Sequence, residues 1–576
     1  MKKLYFSLAL ILAMLLLACT AFAEEIEKTS KDMNFYFISD EYVQPMTVYF
    51  IGESDVPYMS LEDYGELFSS VMQSLSDPHE GEESYGLAFS QFGEIGKLTR
   101  TDGLPYPMTV DCAADTITFF DYDAWLRPEA DRVLIDVLSA DGAHSEEEKS
   151  LFHRTDKSYE RYGDPVVVDC GAYGIDLIAD ETGVYVPLQT LSDFTLSMNN
   201  VNAFYNGEIV AIVPMSGFEG TTLGEMFYSV EPKERSEAMG AYSFAELCLA
   251  LDNLYGLKEV HGIHSFAELA DQIGAREVLM GPDPNQADAA LFTMIWKHMD
   301  DMHSAFLGVS PFSREGLLED FRENIGYGQQ RDQMVRQIEL YASARAEAYP
   351  DGVPGYEEIG NTAYITFDQF LSVSGDVDYY ETAPTADAED TVGLMIYAYS
   401  QIMREDSPIE NVVLDLSNNG GGEADAAIFV LSAFLGDGYA SIKNTLSGAL
   451  ATGVYNVDLN LDGKFDENDR GLLNKRRFAL ITPNSFSCGN LVPSVFKNSN
   501  EVTLIGRTSG GGSCVVLPLA TAYGTNFRIS GPQRLAFAKN GSFYDIDQGA
   551  EPDFSLMFPE SFYDREALTE YINTIK

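Results

Sequence analysis

Phe478-Ala-Leu-Ile-Thr-Pro-Asn-Ser-Phe-Ser-Cys-Gly-Asn490 reads as an apolar strand that breaks at Pro483 and Asn484 and delivers Ser487 to the start of a helix. A serine so placed has the geometry of a nucleophile. Upstream, Val412-Val-Leu-Asp-Leu-Ser-Asn-Asn-Gly-Gly-Gly422 reads as a buried strand running into a glycine turn whose exposed N–H groups would stabilise an oxyanion. Together the two stretches point to acyl transfer.

Around them the pattern is that of an α/β fold. From Gly360 onward, strands expected at 363–367, 412–416, 478–482, 502–505, 514–519 and 527–530 alternate with helices near 391–404, 424–435 and 491–497. Residues 236–310 carry apolar faces at helical spacing, as in Phe244-Ala-Glu-Leu-Cys-Leu-Ala-Leu251, and read as a helical subdomain. Residues 311–359 read as a charged connector. Residues 24–235 read as an α+β region with a faint internal echo, Val56-Pro-Tyr-Met-Ser-Leu61 against Val184-Tyr-Val-Pro-Leu188, and Pro107–Cys112 against Pro165–Cys170. The expectation is therefore an α/β core at 360–576 with a mixed sheet and flanking helices, preceded by the helical part and the N-terminal region.

Four segments in order resemble the tail-specific or C-terminal processing serine peptidases, nearer to their tricorn-core-like branch. They are Asp415-Leu-Ser-Asn-Asn-Gly-Gly-Gly422, Ser487-Cys-Gly-Asn490, Ile505-Gly-Arg-Thr-Ser-Gly-Gly-Gly512 and Gly549-Ala-Glu-Pro-Asp553. The resemblance runs from the helical part to the end of the chain. The peptide-binding PDZ module that many relatives insert has no room between Ser304 and Gly360.

A serine hydroxyl needs a base. By resemblance, one branch uses a lysine about 25 residues after the nucleophile, but Asn498 to Ser513 contains none, so the usual Ser–Lys pairing is excluded. The other branch takes a histidine from the helical part, and Asp300-Asp-Met-His-Ser-Ala-Phe306 offers His303 as general base. His261 and His264 precede a helix, and His298 points to another face. Ser304 or Asp547 would orient the imidazole, with Asp545 and Glu551 competing for the acidic role. The N–H of Cys488 and that of Gly421 or Gly420 would form the oxyanion site. Ser417 stands where the family motif commonly has arginine, and Asn490 where a glutamate often follows. The reaction needs no cofactor. These departures keep open a non-catalytic peptide-binding protein on the same fold.

Asp458-Leu-Asn-Leu-Asp-Gly-Lys-Phe-Asp-Glu-Asn-Asp469 has the spacing of a calcium loop: Asp458, Asn460, Asp462, Asp466 and Asp469 as side-chain ligands, the Lys464 carbonyl between them, and Gly463 at the sharp turn. A structural Ca²⁺ site is expected.

Of the 576 residues, 36 are basic and 90 acidic, giving a net charge of −54, which opposes binding to nucleic acid or anionic membrane. Lys2-Lys3, the apolar run from Leu4 and Ala21-Phe-Ala23 read as a signal peptide over 1–23, so the chain is expected to be exported, secreted or at the cell surface. Leu16-Leu-Ala-Cys19 gives the second reading, a lipoprotein anchored at Cys19. The other five cysteines are an odd set and no disulfide scaffold; Cys488 and Cys514 read as buried thiols or as a bridge. Peptides or unfolded proteins are the expected substrates.

Overall fold

The computed structural model describes residues 27–39, 41–75, 85–101, 106–126, 149–373 and 377–575. The expected signal peptide and Cys19 lie outside them. Among the described residues the strands form four sheets, and no helix is long and apolar enough to cross a membrane.

The sheet that leads to Ser487 has the order Tyr356–Ile359, Thr362–Thr366, Asn411–Asp415, Arg476–Ile481, Thr503–Gly506, Phe554–Ser555, parallel from the second strand on. Its central strands are buried on both faces and read as continuous apolar runs for that reason. Helices Thr391–Ile402, Ala424–Leu435 and Cys488–Ser499 pack around Val412, Leu414, Ala479 and Ile481 on one face. On the other face, Val413, Phe478 and Leu480 pack against Tyr341, Phe562 and Leu568. A parallel sheet presents its functional loops beyond the carboxyl ends of its strands, and both glycine turn and serine turn lie there.

A second, antiparallel sheet is built on the long strand Asn526–Lys539. The Gly531-Pro532 pair suggests an end after Ser530, yet the strand continues. Gly531 makes this feasible, because a Cβ there would stand 2.8 Å from the Val515 carbonyl; the pair sits at a register shift against Cys514–Ala520. The same sheet continues through Gly438–Asn444 and Leu450–Val457 to Phe152–Arg161. That edge strand comes from the N-terminal region, so the sequence boundary near residue 236 does not divide the sheet.

Of the N-terminal region, residues 27–214 supply a seven-stranded sheet and a five-stranded antiparallel one. The echo in the sequence has a spatial counterpart. Tyr58–Ser60 leads into the helix Leu61–Leu75, Gly183–Pro187 leads into Leu188–Thr195, and the two strands pair antiparallel with Tyr185 opposite Ser60. Pro107–Asp111 and Val166–Asp169 both flank Thr116–Phe119.

Candidate active site

Ser487 is the N-cap of the helix Cys488–Ser499 and holds φ 55°, ψ −123°. A non-glycine residue there costs on the order of 1–3 kcal/mol, which neighbours must offset. Four hydrogen bonds do so. Thr482, at the strand end, donates through Oγ1 to the Ser417 carbonyl at 2.6 Å, and Ser485 Oγ donates to the Leu416 carbonyl at 2.7 Å, tying the serine turn to the adjacent strand. Phe486 N donates to the Asn419 carbonyl and Ser487 N to the Gly511 carbonyl. Ser487 is thus clamped between two glycine-rich turns.

Gly421 (φ 107°) and Gly422 (φ 134°) occupy conformations that favour glycine. The strand before them ends at Asp415, whose carboxylate is fully buried and bonded to Arg565 at 2.6 Å and to the Ser417 N–H at 2.9 Å. The amide of Gly420 donates to the Asp368 carbonyl, and that of Gly421 to Asn419 Oδ1 at 3.0 Å. This corrects the expected oxyanion pair. The N–H of Gly421 is already spent, whereas those of Gly422 and Cys488 have no hydrogen-bond partner among the described residues and both residues line the cleft. The Cys488 thiol donates to the Gly422 carbonyl at 3.2 Å, joining the two turns. All five described cysteines are free thiols, so Cys488 and Cys514 are not bridged, and burial pushes the Cys488 thiol up to about 12.

His303 follows the π-helical turn Met294–Met299 and Asp300, which has φ 50°. The buried Asp301 carboxylate accepts the N–H groups of His303 and Ser304 at 3.0 and 2.9 Å, the Ser530 hydroxyl at 2.7 Å and the Tyr255 hydroxyl at 2.9 Å. The imidazole is 8% exposed and packs on Phe486, the residue immediately before Ser487, with ring centroids 4.6 Å apart. Burial holds its pKa down to about 4, Asp301 opposing and Arg528 assisting. It is therefore neutral at pH 7 and able to accept a proton.

Ser487, His303, Gly420, Gly421, Gly422 and Cys488 all line one cleft of about 850 Å³. No hydrogen bond joins the Ser487 hydroxyl to the His303 ring in this structure; such contacts commonly close only around substrate.

The two groups expected to orient the imidazole are engaged elsewhere. Ser304 is fully buried, and its hydroxyl accepts the Ser530 N–H at 3.1 Å. The Asp547 carboxylate accepts the Ser513 N–H at 2.7 Å and pairs with Arg534, fixing the second glycine loop. Asp545 also pairs with Arg534, at 3.0 Å. The charges that act on His303 are those of Asp301 and Arg528. Asp301 belongs to the same short motif as the histidine; Arg528 has no local signal, since only the sheet brings it beside the ring. Asn490 is buried, donating to the Ile546 carbonyl and accepting from Ser509, so it braces the helix.

In the loop 458–469 the carboxylates cap loop amides. Asp458 accepts the N–H groups of Asp462 and Gly463, Asp462 that of Lys464, and Asp469 those of Leu459, Asn460 and Asp466; Asp466 and Asn460 accept from Asn468 and Asp462. Gly463 has the positive φ its place in the loop requires, 76°. Among the described residues no three His, Cys, Asp or Glu side chains group as they would around a metal ion.

Residues 361–556 match the family model of Peptidase family S41; the match contains both glycine turns and Ser487, while His303 lies upstream of it. A protein of Chlamydia pneumoniae, CPj1016/CpB1054, is 30% identical over 113 residues, which is 18% of this chain and 16% of that protein's own length. Among solved structures, a photosystem II D1 C-terminal processing protease aligns at 18% identity over 36% of this chain and 46% of its own, with a TM-score of 0.26. A lipoprotein from Streptococcus agalactiae aligns at 13% identity over 60% and 98%, TM-score 0.34, and the tricorn protease at 11% over 94% and 64%, TM-score 0.32. At these scores no role is carried over from the solved structures.

Proposed function

Residues 361–556 belong to peptidase family S41, and from that premise we propose that the whole chain is an exported serine peptidase hydrolysing peptide bonds in peptides or unfolded proteins. In this reading the Ser487 hydroxyl gives its proton to the neutral His303 ring while Oγ attacks the scissile carbonyl. The oxyanion receives the N–H groups of Cys488 and Gly422. The imidazolium then protonates the leaving amine, and water, activated by the same ring, releases the acyl group. Asp301 positions the histidine through its backbone. The observation that carries the reading is the strained Ser487 at a helix N-terminus, lining one cleft with His303 and with two residues whose amides have no partner among the described residues.

A catalytically silent peptide-binding protein is the second reading, and the separation of the Ser487 hydroxyl from the His303 ring favours it. One experiment divides the two. An active-site serine probe is expected to label Ser487, and Ser487→Ala, His303→Ala and the double variant are expected to lose peptidase activity to the same extent, since the pair acts on one proton. Absence of labelling in folded protein, or a double variant far slower than either single one, would sink the Ser487–His303 assignment. Calcium in the loop 458–469, held by Asp458, Asn460, Asp462, Asp466, Asp469 and the Lys464 carbonyl, is part of the proposal as a structural ion; the ligand spacing supports it. Anchoring at Cys19 is its remaining membrane element.

A further inference from the structure

In a chain of net charge −54, the cleft holds one permanently charged cation among the described residues that line it, Arg528. Arg528 sits on the long strand opposite Ala305 and Pro518, and its side chain reaches past His303. Its Nε donates to the His303 carbonyl at 2.9 Å, and one terminal nitrogen lies 3.9 Å from the Met215 sulfur. A guanidinium has five N–H donors. Among the described residues the others have no hydrogen-bond acceptor, and no Asp or Glu oxygen of those residues lies within 4.0 Å of the group.

Three acidic residues line the same cleft, Asp368, Glu423 and Asp425. Asp368 is paired at both oxygens with Arg345, at 2.6 Å each, and Glu423 accepts the Ser372 N–H at 3.0 Å. The charge that acts on Arg528 is that of Asp301, whose carboxylate is already taken by two backbone N–H groups and two hydroxyls, so burial still weighs against the guanidinium charge and an anion in the cleft would offset it. The surrounding wall is apolar, with Met198 and Met215 from the N-terminal region and Val516 and Leu517 from the strand paired with that of Arg528. Methionine pairs such as this adapt to varied apolar side chains.

We propose that Arg528 anchors a carboxylate of the bound peptide, with the adjacent apolar wall, half of it contributed by the N-terminal region, taking an apolar side chain next to it. The carboxylate is either the free C-terminus of the substrate or an Asp or Glu side chain. This rests on the peptidase reading and specifies which peptides enter. The planar fork of arginine suits a carboxylate held through two N–H groups, which lysine does not reproduce.

The test uses matched peptide pairs with the full protein. One pair differs in a free versus amidated C-terminus; a second, amidated throughout, differs in Glu versus Gln near the scissile bond. For wild type, kcat/KM should favour the carboxylate member of one pair by about tenfold or more, mostly through KM, and the pair that responds identifies the source. In Arg528→Gln the ratio should fall to near one, and in Arg528→Lys to a value between. The ratio is taken within each variant, so any loss from a displaced His303, which slows both members, cancels. Equal rates for both pairs in wild type, or an undiminished ratio in Arg528→Gln, overturns the anchor. A binding titration of the same pairs on Ser487→Ala separates the two levels: carboxylate-dependent binding with no turnover by wild type upholds the anchor and refutes the peptidase.

Discussion

A side-chain carbon on Gly421 would stand 2.5 Å from Cβ of Ser487, closer than two such atoms approach in proteins. The backbone of the first turn is in contact with Ser487, and only glycine permits it. Gly421→Ala is expected to cut kcat/KM by about 10²-fold by displacing Ser487 on the order of 1 Å. Gly420→Ala, whose added carbon meets nothing within 4 Å, is expected to lose only about threefold or less. Equal losses in the two variants would refute the contact.

The depressed pKa of His303 sets an acid limit for activity. The ring must be neutral to act as base, so kcat/KM should hold level from pH 8 down to about 5 and fall with a midpoint near 4. A midpoint at the ordinary imidazole value, measured on wild type with a neutral substrate, would contradict the burial argument. The linkage has a definite sign. Below its unfolded value of about 6.5 the unfolded chain takes the proton that the folded one refuses, so stability is full above that pH and declines toward 4, by roughly 3 kcal/mol for this group.

The buried carboxyls of Asp193 and Glu246 work in the opposite direction. Burial raises Asp193 to about 6, against the lowering effect of hydrogen bonds with Glu246, Asn202 and Gln189, and burial with the charge of Asp193 raises Glu246 well above its usual range. Folded protein therefore retains protons the unfolded chain releases above about 4, and their stabilising effect is lost as pH rises through 6 and beyond. Glu246→Gln should raise the melting temperature at pH 8 relative to wild type and change it little at pH 4. The His303 contribution is common to both proteins and drops out. A shift that is the same at both pH values would refute the assignment.

For the loop 458–469, metal-stripped wild type should melt a few degrees higher with millimolar calcium than with chelator, since occupancy at ten times Kd stabilises by about 1.4 kcal/mol. Asp458→Ala removes two amide caps and so melts lower in any buffer; the informative reading is the disappearance of its calcium-dependent shift. Identical wild-type curves with calcium and with chelator would leave the carboxylates as caps of the loop amides alone.

The serine turn and the glycine turn were legible because each is a local strand-to-loop transition, written in Pro483, Asn484 and three consecutive glycines. The helix Ala424–Leu435 was legible for the same reason. Finer points depended on side chains distant in sequence. Asn419 takes the Gly421 amide and leaves that of Gly422 as the proposed oxyanion donor, and no spacing rule anticipates that. Arg534 claims Asp547, and the placement of Arg528 beside His303 depends on a sheet joining residues 225 apart. Apolar pattern did not disclose that Phe152–Arg161 completes the core sheet, because that edge strand is largely solvent-facing and polar.

That edge strand governs when the molecule can become active. Thr155 donates to the Val454 carbonyl across 299 residues of chain, and Thr452 to Glu160 across 292. Contacts of such separation close late, after local helices and hairpins have formed. During synthesis this strand stays unpaired until its partner Leu450–Val457 has been made, and the serine turn follows later still. In the proposed peptidase, assembly order would thus act as a safeguard: a product that stops before Arg476 has neither Ser487 nor the completed sheet.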